Sequence, residues 1–158
     1  MREIVAAAAF LAGAWLAAGA QAREPHKIVH EAAPGASWLA IQNAASMTFD
    51  GKTLTLLSVS PTVVAFTDRP KRMATNVPLD LVLHGWTKRG DSLKKDPPNA
   101  GVSVVNEDAI QTAVVVLTNP RRSGDSLSYD VRILEGRLPP SGGPTSIFID
   151  DVCLSCWS

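Results

Sequence analysis

Short β-prone runs separated by turn-forming residues fill the chain from Trp38 onward. Gly, Pro, Asn and Asp recur between runs such as 53–59, 62–67 and 145–150, which are rich in Val, Ile, Thr and Leu. β-Branched residues fit the pleated surface of a sheet, and closely spaced turn residues prevent long helices. The pattern predicts a mainly β fold of antiparallel strands, either a β-sandwich or a small barrel.

The first β-prone runs indicate a hairpin turn and a break in side-chain alternation. Asp50 and Gly51 lie between two β-prone runs, and an Asp-Gly link favours a hairpin because both residues accept positive φ. Leu54 and Leu56 alternate with Thr, but this alternation breaks at Leu57. A change of phase of this kind indicates a bulge.

The later runs differ in how many of their faces they are expected to bury. Residues 114–117 read Val-Val-Val-Leu, an unbroken apolar run that predicts a central strand covered on both faces. Residues 127–133 instead alternate apolar and polar side chains, which predicts one buried and one wet face.

One segment has the periodicity of a helix. Its apolar residues recur at the spacing of a single helical face: Leu79, Val82, Leu83 and Trp86. Asn76 can cap this segment, Pro78 suits a first helical turn, and Gly90 suits the left-handed residue that ends a helix. We therefore predict one short helix over about residues 78–89, covering one face or one end of the sheet.

The first 22 residues have the three-part pattern of a secretory signal. Arg2 precedes an apolar run over 4–18, and the small-residue triplet 20–22 follows it. The run is short for a bilayer span of roughly 20 residues. We expect cleavage after Ala22 and a soluble periplasmic or secreted product, with an uncleaved anchor as the alternative.

The expected domain organisation follows from these patterns. A signal peptide over 1–22 precedes an N-terminal arm over 23–37 and a single β-rich domain over 38–152, and a Cys-containing tail covers 153–158. No apolar stretch after the signal is long enough to cross a membrane.

The charges of the chain balance. Fifteen Lys and Arg oppose fifteen Asp and Glu, which gives a net charge of zero. A neutral protein has no long-range field that would steer it onto nucleic acid. The sequence therefore predicts no nucleic-acid partner.

Three stretches of the chain carry a resemblance. They read VSPTVVAFTDRPKR (59–72), DPPNAGVSV (96–104) and GGPTSIFID (142–150). Together they resemble a family of small exported bacterial proteins with an Asp-Arg-Pro motif after a strand and a later Asp-Pro-Pro-Asn-Ala motif. The resemblance covers roughly residues 54–150. That family has no established activity, so the resemblance implies an exported single domain and no particular site residue.

Two charged loops are the candidate contact regions. FTDRPKR (66–72) and KKDPPNA (94–100) combine charge with Pro and Asn. The candidate binding residues in them are Asp68, Arg69, Arg72, Asp96 and Asn99. A structural reading also accounts for the first loop, because Asp68 can accept from nearby backbone N–H groups and Pro70 ends a strand ladder.

The two cysteines, Cys153 and Cys156, lie three residues apart near the end of the chain. In an oxidising compartment this spacing favours a small disulfide, while intermolecular pairing, thiol exchange and half of a zinc site are alternatives. Asp150 and Asp151 at a strand end could contribute to a calcium site, although no full ligand loop surrounds them. No metal site and no cofactor are predicted.

The absence of known catalytic motifs favours a non-enzymatic role. The sequence has no Gly-x-Ser-x-Gly elbow and no phosphate-binding loop. The leading hypothesis is a binding or structural module of the periplasm or cell envelope, with a protein or envelope component as partner. The alternatives are a hydrolase-like enzyme with Asp68 and Arg69 in a cleft, or a redox or metal role of Cys153 and Cys156.

Overall fold

The computed structural model describes residues 38–67, 72–87, 93–107 and 109–152. The predicted signal, arm and tail, over 1–22, 23–37 and 153–158, lie outside the described residues. None of the helices within the described ranges has the length and apolar character needed to span a bilayer.

The prediction of a mainly β fold with one short helix is confirmed. In chain order the elements are β1 (Trp38–Phe49), β2 (Thr53–Val59), β3 (Thr62–Thr67), β4 (Met73–Pro78), α1 (Leu79–Thr87), β5 (Asn99–Asn106), β6 (Ala109–Ser123), β7 (Ser126–Gly136), β8 (Ser141–Gly142) and β9 (Thr145–Val152).

Six of these strands close into an antiparallel barrel. Neighbouring strands follow the order β1, β2, β7, β6, β5, β9, and β9 pairs again with β1. The alternative between a sandwich and a barrel is thus decided for the barrel. The β3–β4 hairpin extends the sheet from β1. β3 pairs with residues 39–41 of β1, and β2 pairs with residues 44–49 along the same edge of β1.

The barrel interior is filled by alternate side chains of all six strands. Among those with no more than 1% exposure are Leu54, Leu56, Val102, Val104, Val115, Leu117, Leu127, Tyr129, Ile147 and Ile149. Each large aliphatic side chain buried in this way contributes on the order of 1.5–3 kcal/mol. Apolar burial at alternate positions therefore holds the strands in one register.

The predicted change of phase at Leu57 is confirmed. Leu56 is fully buried, Leu57 is 36% exposed, and the next inward residue is Val59. Ser58 between them has φ of 49°. On β1 the buried side chains also change from even to odd positions, between Ala44 and Met47, which pair with Val59 and Leu56. The residues of β1 and β2 stay paired in one register from residue 44 to residue 49 of β1. The chain therefore keeps its pairing here without the expected bulge.

The prediction that residues 114–117 are covered on both faces is wrong. Val115 and Leu117 are fully buried, whereas Val114 is 38% exposed. A barrel has one interior, so the opposite face of β6 is directed outward. The unbroken apolar run therefore places Val114 on the outer surface of the protein.

The helix begins one residue later than predicted. Pro78 pairs with Thr62 as the last residue of β4, and α1 starts at Leu79, whose N–H donates to the carbonyl oxygen of Pro61 at 2.9 Å. The cap expected at Asn76 is wrong for the same reason, because Asn76 pairs with Val64 inside β4. Residues 88–92 lie outside the described residues.

The helix α1 covers the barrel end at which β6 and β7 are joined. The ring of Trp86 lies 5.6 Å from that of Tyr129, which is buried on β7. Asp80 at the start of the helix forms an ion pair with Arg122 on β6. Burial raises the pKa of Tyr129, since the phenolate would be desolvated beneath the helix.

Candidate functional site

A polar pocket of about 180 Å³ lies where β5 begins and β9 approaches its end. Its lining residues are Leu93, Asp96, Pro97, Pro98, Asn99 and Asp150. The sheet register creates it, because Ala100 pairs with Ile149 and so brings Asn99 beside Asp150. Two carboxylates and one amide thus converge from segments about 50 residues apart in the chain.

The two prolines give this pocket a fixed wall. Pro98 is buried, and its carbonyl oxygen accepts from the N–H of Leu117 on β6 at 3.1 Å. Proline has a fixed φ and lacks an N–H, so Pro97 and Pro98 hold an extended path without continuing the ladder. Asp96 is exposed at the start of this path, where its carboxylate can face a ligand.

A larger and mostly apolar groove of about 280 Å³ lies next to the pocket on the outer surface. It is lined by Gly101, Val102, Ser103, Thr112, Ala113, Val114, Glu135, Gly136 and Phe148. Gly101 pairs with Phe148 on one side and with Val114 on the other. Because Gly101 has no side chain, the groove opens between the two apolar side chains that flank it.

Pocket and groove lie next to each other on one outward surface of β5 and β9. Asn99 and Gly101 are two residues apart on β5, and Asp150 and Phe148 are two residues apart on β9. Residues two apart on a strand share a face. We call this surface the outer wall, defined by the lining residues of the pocket and of the groove.

The outer wall combines apolar and acidic character. Phe148 is 47% exposed and Val114 is 38% exposed. The charged side chains that line it are Asp96, Glu135 and Asp150, and no Lys or Arg is among the described lining residues. A ligand that pairs a cation with an apolar group matches this chemistry.

The predicted site residues have different outcomes in the structure. Asp96 and Asn99 lie in the same pocket. Arg72 is exposed just before β4 and does not line that pocket. Asp68 and Arg69 lie outside the described residues, as do Cys153 and Cys156, so the hydrolase-like, disulfide and redox or metal hypotheses stay predictions.

The groove was not predicted from the sequence, although two residues of the sequence indicate it. Gly101 interrupts the side-chain alternation of β5, and a glycine in a strand interior marks a place where something approaches the backbone. Phe148 lies between Ile147 and Ile149, so strict alternation directs it outward if its neighbours are buried. Neither signal identifies which strands lie beside it.

A second charged cluster is accounted for by structure alone. Asp130 on β7 accepts from Arg121 at 2.8 Å and from Asn119 at 2.9 Å. The Arg121 guanidinium, followed by the Asn119 amide, holds the pKa of Asp130 at about 2. These bonds secure the irregular part of β6, where the register shifts between Thr118 and Arg121.

Among the described residues, no three His, Cys, Asp or Glu side chains come close enough together to hold a metal ion. In the polar pocket, Asp96 and Asp150 lie with the amide of Asn99, and no third acidic side chain of the described ranges lines the pocket.

Comparisons of the chain with known protein families, with curated proteins and with solved structures found no match. The resemblance to exported bacterial proteins stays a prediction.

Proposed function

We propose that this chain is an exported, non-enzymatic binding module of the periplasm or cell envelope, and that its outer wall binds a partner protein. The observation that carries the proposal is that the polar pocket and the apolar groove lie next to each other along β5 and β9. The secretory pattern of residues 1–22 supports the location.

The dimensions of the surface favour a protein partner over a small substrate. Pockets that enclose small ligands usually measure roughly 300–1,000 Å³. The groove, at about 280 Å³, lies at the lower limit of that range, and the pocket, at about 180 Å³, lies below it. Each suits one side chain, and their adjacency suits two side chains of a single extended segment.

The chemistry of the surface defines the segment that it would bind. Phe148 and Val114 offer apolar contact on both sides of Gly101, and aromatic side chains are enriched at the centres of protein interfaces. Asp96 and Asp150 in the pocket attract a basic side chain. The expected partner segment therefore carries one apolar residue and a neighbouring Lys or Arg.

Capture from cell-envelope extract tests the proposal with matched variants. Phe148→Ser removes the apolar flank of the groove, and Asp96→Asn with Asp150→Asn removes the carboxylates of the pocket. Leu57→Ser is the control, because Leu57 is a partly exposed apolar residue, at 36%, on β2 away from the outer wall.

The expected result is one captured protein that is retained by Leu57→Ser and lost, by about tenfold or more, in both outer-wall variants. Capture that is equal in all variants contradicts the proposal. Circular dichroism of each variant verifies that the barrel is intact.

A further inference from the structure

The last part of β7 has an open edge. The N–H of Val131 donates to the carbonyl oxygen of Lys52 at 2.8 Å, and within the described residues no pairing of β7 with β2 follows it. From Arg132 to Gly136 the strand pairs with β6 on one side. On the other side it pairs with no strand of the described ranges.

This open edge is apolar at its centre and exposed throughout. All five residues from Arg132 to Gly136 are exposed, with Ile133 at 38% and Leu134 at 47%. A strand edge with unpaired N–H and C=O groups and exposed apolar side chains is a template for pairing with another strand.

A bulge in β7 places the charged residues on either side of this apolar centre, Arg132 and Glu135, on the same face of the strand. Glu135 pairs with Val114, Ile133 pairs with Val115 and Arg132 pairs with Val116, so Leu134 is the extra residue. Val114 and Val116 share the outward face of β6. Arg132 and Glu135 therefore both project outward, with the apolar pair between them in sequence.

The order basic, apolar, apolar, acidic is complementary to itself in an antiparallel arrangement. If a second copy aligns antiparallel about Ile133 and Leu134, Arg132 of each chain lies near Glu135 of the other. A parallel alignment would instead bring like charges together, which is destabilising. The charges therefore favour the antiparallel alignment when the partner is a second copy of this chain.

We propose that the chain forms a twofold symmetric dimer through the edge of β7 at residues 132–136. Such a contact is isologous, because each copy supplies the same patch. A twofold axis perpendicular to the sheet keeps both outer walls directed to the same side. The dimer presents two partner-binding surfaces next to each other, and two linked sites bind a multivalent partner more tightly than one.

Sedimentation equilibrium tests the dimer. The sample is the whole protein, purified in the form in which cells accumulate it. The experiment is run in reductant so that Cys153 and Cys156 cannot link copies. Arg132→Glu and Glu135→Arg each introduce like-charge repulsion, and the double variant restores opposite charges in the reversed order. Lys95→Glu is the control, because it reverses an exposed charge outside the β7 edge.

The wild-type protein and the control are expected to dimerise with similar dissociation constants. Each single reversal raises the constant by about tenfold or more, and the double variant returns to within about threefold of the wild type. A monomer at every concentration overturns the proposal. So does a dimer that the single reversals leave unchanged, or one that the double variant fails to restore. Unchanged circular dichroism shows that each variant is folded.

Discussion

Two adjacent leucines show most clearly how the environment of a single residue is determined. Leu56 is fully buried in the barrel, while Leu57 is 36% exposed on its outer surface. Both residues lie in β2, and the positive φ of Ser58 follows them. Identical side chains at consecutive positions should therefore contribute very differently to stability.

Alanine substitution of these leucines measures that difference. Leu56→Ala should lower the free energy of unfolding by about 2–5 kcal/mol, because it removes buried methyl groups and leaves a cavity. Leu57→Ala should change it by less than about 1 kcal/mol. Urea denaturation of the two variants provides the measurement, and equal losses would contradict the assigned phase of β2.

The carboxylate of Asp130 gives the protein a defined response to acid. Its folded pKa is about 2, below the ordinary value of 3.8, because it accepts from Arg121 and Asn119. A carboxylate with a lowered folded pKa stabilises the protein at pH values above its unfolded pKa. That contribution is lost as the pH falls from about 4 toward about 2.

Asp130→Asn should therefore make the stability of the protein less dependent on pH under acidic conditions. Between about pH 4 and pH 2 the melting temperature of the variant should fall less than that of the wild type. The matched control is Asp125→Asn in the β6–β7 turn, because Asp125 accepts from the Ser58 hydroxyl at 3.4 Å and forms no ion pair with an Arg of the described ranges. Parallel profiles for Asp130→Asn and the wild type would contradict the assignment.

Among single residues, the sequence indicated two of the three polar side chains that line the pocket, Asp96 and Asn99. Asp96 and Asn99 are separated by two prolines, and this combination of turn and polar chemistry indicates an ordered loop. Asp150 was recognised as an acid at a strand end, but its position beside Asn99 depends on β9 pairing with β5. Long-range pairing of this kind is not encoded in the local periodicity of either strand.

At the scale of elements, β8 is the shortest strand and depends on one glycine. Gly142 pairs with Met47 on β1. A Cβ atom at Gly142 would lie 2.1 Å from Cγ1 of Val104 and 3.0 Å from Oδ1 of Asn106. The glycine is therefore required because the side chains of Val104 and Asn106 on β5 occupy the space that a Cβ would need.

Gly142→Ala should destabilise the fold by about 1–3 kcal/mol, as overpacking of a filled core does. Gly101→Ala is the matched control, since its Cβ would lie 3.9 Å from the Cβ of Phe148, an ordinary contact distance. Thermal unfolding followed by circular dichroism compares the two. A stability of Gly142→Ala equal to that of Gly101→Ala would show that β8 does not pack closely against β5.

The elements themselves were largely predictable from local patterns. The runs that became β2, β3, β6, β7 and β9 carry β-branched residues between turn residues, so their positions followed directly. The strand β4 was missed because Met73–Pro78 mixes polar and apolar residues and ends in proline. Its pairing with β3 supplies what local propensity does not.

At the scale of the whole molecule, closure of the barrel is the feature that no local signal contains. The contact that completes the ring is the pairing of β2 with β7, in which Leu54 lies opposite Tyr129. Closure directs alternate residues outward, so Phe148 and Val114 become the sides of a groove. The outer wall is therefore a consequence of topology, and sequence reasoning located only the loop at its end.

The same topology places the outer wall next to the proposed dimer edge. Glu135 lines the groove and belongs to the open part of β7. A dimer through this edge would extend the outer wall across both copies, whereas a monomer would leave the edge exposed to pairing with other strands.

Site-specific photo-cross-linking in cell-envelope extract tests whether the outer wall binds a partner protein. A photoreactive amino acid at position 148 reports on the outer wall, and the same probe at position 57 reports on an apolar position elsewhere on the barrel. We expect one defined cross-linked partner from position 148 that is absent from position 57. Identical products from both positions, or none from position 148, would contradict binding at the outer wall.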